Sequence, residues 1–130
     1  MKAIKNIETV TDIYSEWKPS DIAFVKTIEW SINSLVLKCY CQLRTMVNKW
    51  PDTSKDFFEI TLTFKNASNF RLNFSGAGLQ QISGFDILDV SANGMEKTNF
   101  QIEDYENDCI TFNCEDIEIN ELLKPIKIFY

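Results

Sequence analysis

Acidic side chains are the residues of this chain best suited to chemistry, and they are concentrated in its second half. Eleven acids lie between Asp86 and Glu121, where Lys97 is the single cation. Two carboxylates at a suitable separation carry out glycoside hydrolysis, and Asp86, Asp89 and Glu103 are candidates if strands bring them together. No motif singles out one pair, so a carbohydrate-binding or acid-pair hydrolase β-sandwich is kept as an alternative.

The run from Glu103 to Asp108 has the alternating acids of a calcium loop. An EF-hand loop that began at Asp104 would need glycine at its sixth position, which is Cys109 here. We therefore interpret the run as a solvated hairpin tip and expect neither a metal ion nor another cofactor.

Histidine is absent, which removes the commonest general base, the usual partner in serine and cysteine triads, and the commonest metal ligand. The four cysteines lack the Cys-x-x-Cys spacing of zinc and redox sites, so they are expected to be free thiols that serve as small buried hydrophobes. We expect no catalytic activity. These cysteines are Cys39, Cys41, Cys109 and Cys114.

The segment Asp56–Phe74 predicts two extended strands, because its large apolar residues recur at every second position. Residues 65–69 are typical of a turn, so we expect these strands to pair as a central hairpin with one apolar and one wet face. The apolar positions are Phe58, Ile60, Leu62, Phe64, Phe70, Leu72 and Phe74.

Similar alternation recurs along the chain and predicts about seven or eight short strands. Their spacing leaves no room for crossover helices, so residues 1–130 are expected to form a single mainly β domain, an antiparallel sandwich or curled sheet. Further predicted strands cover residues 22–32, 35–46, 85–91, 100–103, 110–114, 117–119 and, as an edge strand after Pro125, residues 126–130.

One short N-terminal amphipathic helix is predicted from Lys2 to Trp17, where apolar residues recur at spacings of three and four. Pro19 ends this helix. We expect it to cover an open face or end of the sheet.

The net charge of -6 bears on location and partners. No apolar run approaches the roughly 20 residues of a membrane helix, and the N-terminus lacks the apolar core of a signal peptide, which predicts a cytoplasmic protein. An acidic surface repels nucleic acid and anionic membranes and attracts a basic protein. Aromatic residues beside such a surface are typical of interface centres. The predicted partner-binding residues are Glu103, Asp104, Tyr105, Glu106, Asp108, Glu115, Asp116 and Glu118.

The segment Trp17–Val25, WKPSDIAFV, resembles small bacterial proteins with a Trp-Pro-Ser-Phe-His-Asp-Ala pattern, which include families grouped with polymorphic-toxin immunity proteins. Residues 81–119 resemble the C-terminal half of such domains. Lys18 interrupts the pattern and its histidine has no counterpart here, so no role of that histidine is carried over. The resemblance implies a non-catalytic all-β domain that binds and neutralises a cognate toxin. A structural homo-oligomer that pairs through the terminal strand is a further alternative.

Overall fold

The computed structural model describes residues 3–126, which fold into two antiparallel sheets that share one hydrophobic core. The strands are β1 (Ile22–Trp30), β2 (Ser34–Cys41), β3 (Phe57–Lys65), β4 (Ser68–Leu72), β5 (Gln80–Gln81), β6 (Phe85–Asp89), β7 (Phe100–Asp104), β8 (Ile110–Cys114) and β9 (Asp116–Ile126). The strand order is β5-β1-β2-β3-β9 in the first sheet and β4-β8-β7-β6 in the second. The predicted fold class is confirmed, with nine strands within the described residues.

The core lies between the two sheets because alternate residues of each strand point inward. In β2 and β8 every second side chain is buried, as the sequence pattern predicted. Phe64 of the first sheet meets Phe112 of the second edge to face, with ring centroids 4.9 Å apart. The other side of β3 is also largely covered, contrary to the predicted wet face. Glu59 is buried there and accepts a hydrogen bond from Lys26 Nζ at 2.9 Å.

The predicted central hairpin is wrong, because β3 and β4 lie in different sheets. β3 pairs with β2 and β9, whereas β4 pairs with β8. Asn66 and Asn69 adopt positive φ values of 54° and 52°, and between them the chain crosses from one sheet to the other. The predicted apolar face is still correct, since Phe64 and Phe70 both contact Phe112 in the shared core.

The N-terminal helix is much shorter than predicted, since α1 covers only Glu8–Thr11. Asn6 has a positive φ of 62°, which a continuous right-handed helix does not allow. Lys5 instead pairs with Glu118 of β9 in a parallel bridge. The segment does pack on the core as expected, through buried Val10 and Trp17. No helix of residues 3–126 is long and apolar enough to cross a membrane.

Pro125 does not begin a separate strand, because β9 continues through it to Ile126, which pairs with Phe57. β9 is the last strand of its sheet, and its register with β3 shifts between Leu123 and Ile126. A proline is tolerated at such a position, since edge strands and bulges do not need its missing N–H. The rest of the predicted terminal strand, residues 127–130, lies outside the described residues, so the predicted oligomer contact there stays a prediction.

The two ends of the sandwich carry different loops. One end, which we call the hairpin end, holds the β7–β8 loop, the start of β6, and the 3₁₀ turns Pro19–Asp21 and Arg44–Met46. The opposite end holds the β1–β2 and β6–β7 loops and the passage from β8 to β9.

Candidate protein-binding surface

The hairpin formed by β7 and β8 lies at the centre of the second sheet and carries half of the predicted partner-binding residues. Its register pairs Phe100 with Cys114 and Glu103 with Thr111. Phe100 and Ile102 point into the core, so Glu103 points outward from the sheet. The loop between the strands holds Tyr105, Glu106 and Asp108, all of them exposed.

Asp104 is not part of this exposed set, because its side chain is buried. Its Oδ1 accepts hydrogen bonds from the backbone amides of Gly84 at 3.1 Å, Glu106 at 3.1 Å and Asn107 at 3.4 Å. Its Oδ2 accepts one from Cys109 at 3.3 Å. Backbone amides that point at a carboxylate satisfy its charge and fix the loop around it. Asp104 therefore positions the hairpin and does not contact a partner.

Gly84 allows this arrangement because it leaves space for the loop. A Cβ atom at Gly84 would lie 2.7 Å from Glu106 Cγ and 2.8 Å from the Glu106 backbone nitrogen, closer than atoms can pack. The Gly84 carbonyl also accepts a hydrogen bond from the Tyr105 amide at 2.9 Å. The start of β6 and the β7–β8 loop are thus joined on both sides of Gly84.

Four acids and one aromatic residue share the surface around this loop. Asp86 on β6 lies directly opposite Glu103 on β7, and neither has an ion-pair partner among residues 3–126. The exposed fraction of Tyr105 is 57%. We call this set the acidic hairpin surface; it consists of Asp86, Glu103, Tyr105, Glu106 and Asp108.

The remaining predicted partner-binding residues lie at the opposite end of the sandwich, beyond the length of β8, which is roughly 15 Å. Glu115 accepts a hydrogen bond from Asn66 Nδ2 at 2.6 Å. Asp116 and Glu118 lie on β9, and Glu118 accepts a hydrogen bond from Asn120 Nδ2 at 2.7 Å. The eight residues therefore do not form one continuous surface.

The structure brings together one of the carboxylate pairs that a hydrolase would need. Asp86 and Glu103 are cross-strand neighbours, whereas Asp89 lies further along β6 and accepts hydrogen bonds from Ser91. The pair lies on the outer face of the second sheet. It lines neither of the two cavities described below, so no cleft among these places a substrate against it.

The four cysteines are free thiols, and three of them are buried. Burial raises the pKa of Cys39 to about 12, with a smaller contribution from Glu59, and burial raises the pKa of Cys114 to about 12. Thiols with such pKa values stay protonated and unreactive at neutral pH. Across residues 3–126, no three His, Cys, Asp or Glu side chains are grouped so that they could hold a metal ion.

The sequence contained a signal for the role of Asp104 that its acidic neighbours obscured. Asp104 has the same parity as Phe100 and Ile102, which predicts an inward side chain. Gly84 carried no local signal, because its close contact is with a loop twenty residues further along the chain.

Two other predicted end-plugging aromatics, Trp17 and Trp50, contribute to the hairpin end. Trp17 is buried, as expected. Trp50 is half-buried and donates a hydrogen bond from Nε1 to the Gln42 carbonyl at 2.7 Å. The Arg44 guanidinium lies 3.5 Å from the centre of the Trp50 ring.

The chain matches no family model, no curated protein and no solved structure. The class that the fold defines is therefore a two-sheet antiparallel β domain.

Proposed function

We propose that this chain is a non-catalytic, cytoplasmic bacterial binding protein of the immunity type, which occludes a basic surface of a protein partner, a toxin. The observation that carries the proposal is the acidic hairpin surface, in which four carboxylates without described ion-pair partners surround the exposed ring of Tyr105.

Electrostatics supports a basic protein as the partner. Asp86 and Glu103 face each other across two strands, and like charges in that position are destabilising for the free protein. A cationic surface that approaches them relieves this repulsion and accelerates association. The same charges repel nucleic acid and anionic membranes.

Rigidity supports binding as well. The Asp104 carboxylate holds the loop through four backbone amides, so little conformational entropy is lost when a partner binds. Tyr105 provides the kind of large, partly polar side chain that is enriched among energetically important interface residues.

The test is affinity capture of partners from the source organism, followed by elution in a salt gradient. We expect a basic protein that is retained at low salt, is released as salt rises, and binds the purified chain directly. A partner that is retained equally at low and high salt would contradict the charge mechanism, and the absence of any specific partner would contradict the binding function.

A glycan-binding and glycoside-hydrolysis screen addresses the alternative. We expect neither activity. Hydrolysis that is lost in Glu103→Gln would show that Asp86 and Glu103 act as a catalytic pair and would overturn the proposal.

A further inference from the structure

A second surface of the hairpin end has a different character from the acidic hairpin surface. An apolar groove of about 230 Å³ runs beside Tyr14, Met46, Val47 and Phe58. A smaller cavity of about 150 Å³, lined by Ile13, Leu122 and Leu123, adjoins it, since Tyr14 and Pro125 line both.

The floor of this groove is ordered and its sides are exposed. The Tyr14 ring stacks on Phe58, with centroids 4.0 Å apart and planes 9° from parallel. Ile13 is 67% exposed, Met46 is 73% exposed and Leu123 is 42% exposed. Large apolar side chains grouped around a concavity are typical of sites that bind another molecule, whereas isolated exposed ones are not.

The charges around the groove are predominantly negative. Asp56 lines it, and the Tyr14 phenol has a raised pKa, caused first by burial and second by the Asp56 carboxylate. Glu16 accepts a hydrogen bond from Thr45 Oγ1 at 3.0 Å, next to Met46. Asp12 and Glu121 are exposed neighbours in sequence of Ile13 and Leu122.

Cations are fewer here than acids. Among the described lining residues Lys55 is the one cation. The Arg44 guanidinium is held away from the groove, because it donates to the Ser20 and Ser83 carbonyls at 3.0 and 2.6 Å.

From this combination we propose that the groove binds a short protein segment in which bulky apolar residues are flanked by lysine or arginine. The apolar side chains enter the groove beside Tyr14 and Met46, while the flanking cations meet Asp12, Glu16, Asp56 and Glu121. This site is separate from the acidic hairpin surface, so it holds or fails independently of the proposed function.

The test uses a fluorescein-labelled peptide with a central Leu-Phe pair and two lysines on each side, titrated with the whole chain by fluorescence anisotropy. We expect saturable binding. Binding should weaken by about tenfold or more in Ile13→Lys and in Met46→Lys, since each places a cation at an exposed position of the groove. A peptide with aspartate in place of lysine should bind more weakly than the lysine peptide.

The matched control is Ile32→Lys, which makes the same change at a 96% exposed isoleucine of the opposite end. It should bind the lysine peptide as the unaltered chain does. Equal weakening in all three variants would show attraction by net charge alone and would overturn the proposal. Equal binding of both peptides, or no saturable binding, would also overturn it. So would sedimentation showing that Ile13→Lys and Met46→Lys disrupt a dimer of this chain, because a second copy would then occupy the groove.

Discussion

The backbone amide of Gly84 donates a hydrogen bond to Oδ1 of Asp104 at 3.1 Å, and this contact joins the start of β6 to the β7–β8 loop. The two residues are twenty positions apart, yet each depends on the other. Asp104 needs the Gly84 amide, and the loop needs the absence of a side chain at Gly84. The acidic hairpin surface takes its shape from this pair.

Replacement of Asp104 by asparagine should lower the free energy of unfolding by about 1–3 kcal/mol. Asparagine keeps one acceptor oxygen but turns an N–H₂ group toward backbone amides that also donate, among them Cys109. Urea unfolding measures the loss. Asp108→Asn, which alters an exposed acid of the same loop, should change stability by less than about 0.5 kcal/mol. Equal effects of the two replacements would show that Asp104 does not hold the loop.

Replacement of Gly84 by alanine should destabilise the protein by about 1–3 kcal/mol, because the added methyl group collides with Glu106. Part of the collision is with the backbone nitrogen of Glu106, so trimming the side chain in Gly84→Ala/Glu106→Ala should restore stability only partly. Thermal or urea unfolding of the single and double variants measures this. Complete rescue would mean that the backbone contact is unimportant.

Alkaline pH should destabilise the protein through its buried thiols. The pKa of Cys39 rises from 9.0 to about 12 on folding, so the unfolded chain loses this proton at a lower pH than the folded chain does. The resulting stability is complete below pH 9 and is lost as pH rises toward 12, with a slope of up to about 1.4 kcal/mol per pH unit for each such thiol. Unfolding by urea between pH 8 and pH 10.5, under reducing conditions, measures the slope.

The variant Cys39→Ala should show a shallower dependence on alkaline pH. Leu37→Ala is the matched control, since it removes a buried side chain from the same face of β2 without removing a titrating group. It should be less stable at every pH but should keep the original slope. A slope that Cys39→Ala leaves unchanged would contradict the assignment.

The alternation of apolar residues predicted which faces are buried, but it could not predict which strands pair. Phe64 and Phe70 are both correctly placed in the core, yet they belong to different sheets. A two-residue period is the same whether the next segment returns beside the first strand or crosses above it. The backbone conformation of Asn66 and Asn69 decides this, and many residue types in a turn-rich segment can adopt it.

The N-terminal segment shows the converse limit. Spacings of three and four placed Val10 and Trp17 correctly in the core, but only Glu8–Thr11 is helical. Tertiary contacts decided the outcome, since Lys5 pairs with β9.

The candidate site was predictable in composition and not in geometry. Charge counting identified the acids of the second half, but their division between two ends depends on the direction of β8, and the burial of Asp104 depends on Gly84. Sequence therefore predicted the chemistry of the surface better than its extent.

The central claim is that a basic partner binds the acidic hairpin surface and not acids in general. Two variants with the same change of net charge separate these possibilities. The first is Asp86→Asn/Glu103→Gln/Glu106→Gln/Asp108→Asn, and the second is Glu115→Gln/Asp116→Asn/Glu118→Gln/Glu121→Gln at β9 and its start.

The decisive measurement is the association rate of the captured partner with the unaltered chain and with both variants as a function of salt. We predict that the first variant associates at least about tenfold more slowly at low salt and loses most of its salt dependence, while the second stays close to the unaltered chain. Equal slowing in both variants, or a rate that the first variant leaves unchanged, would contradict the claim.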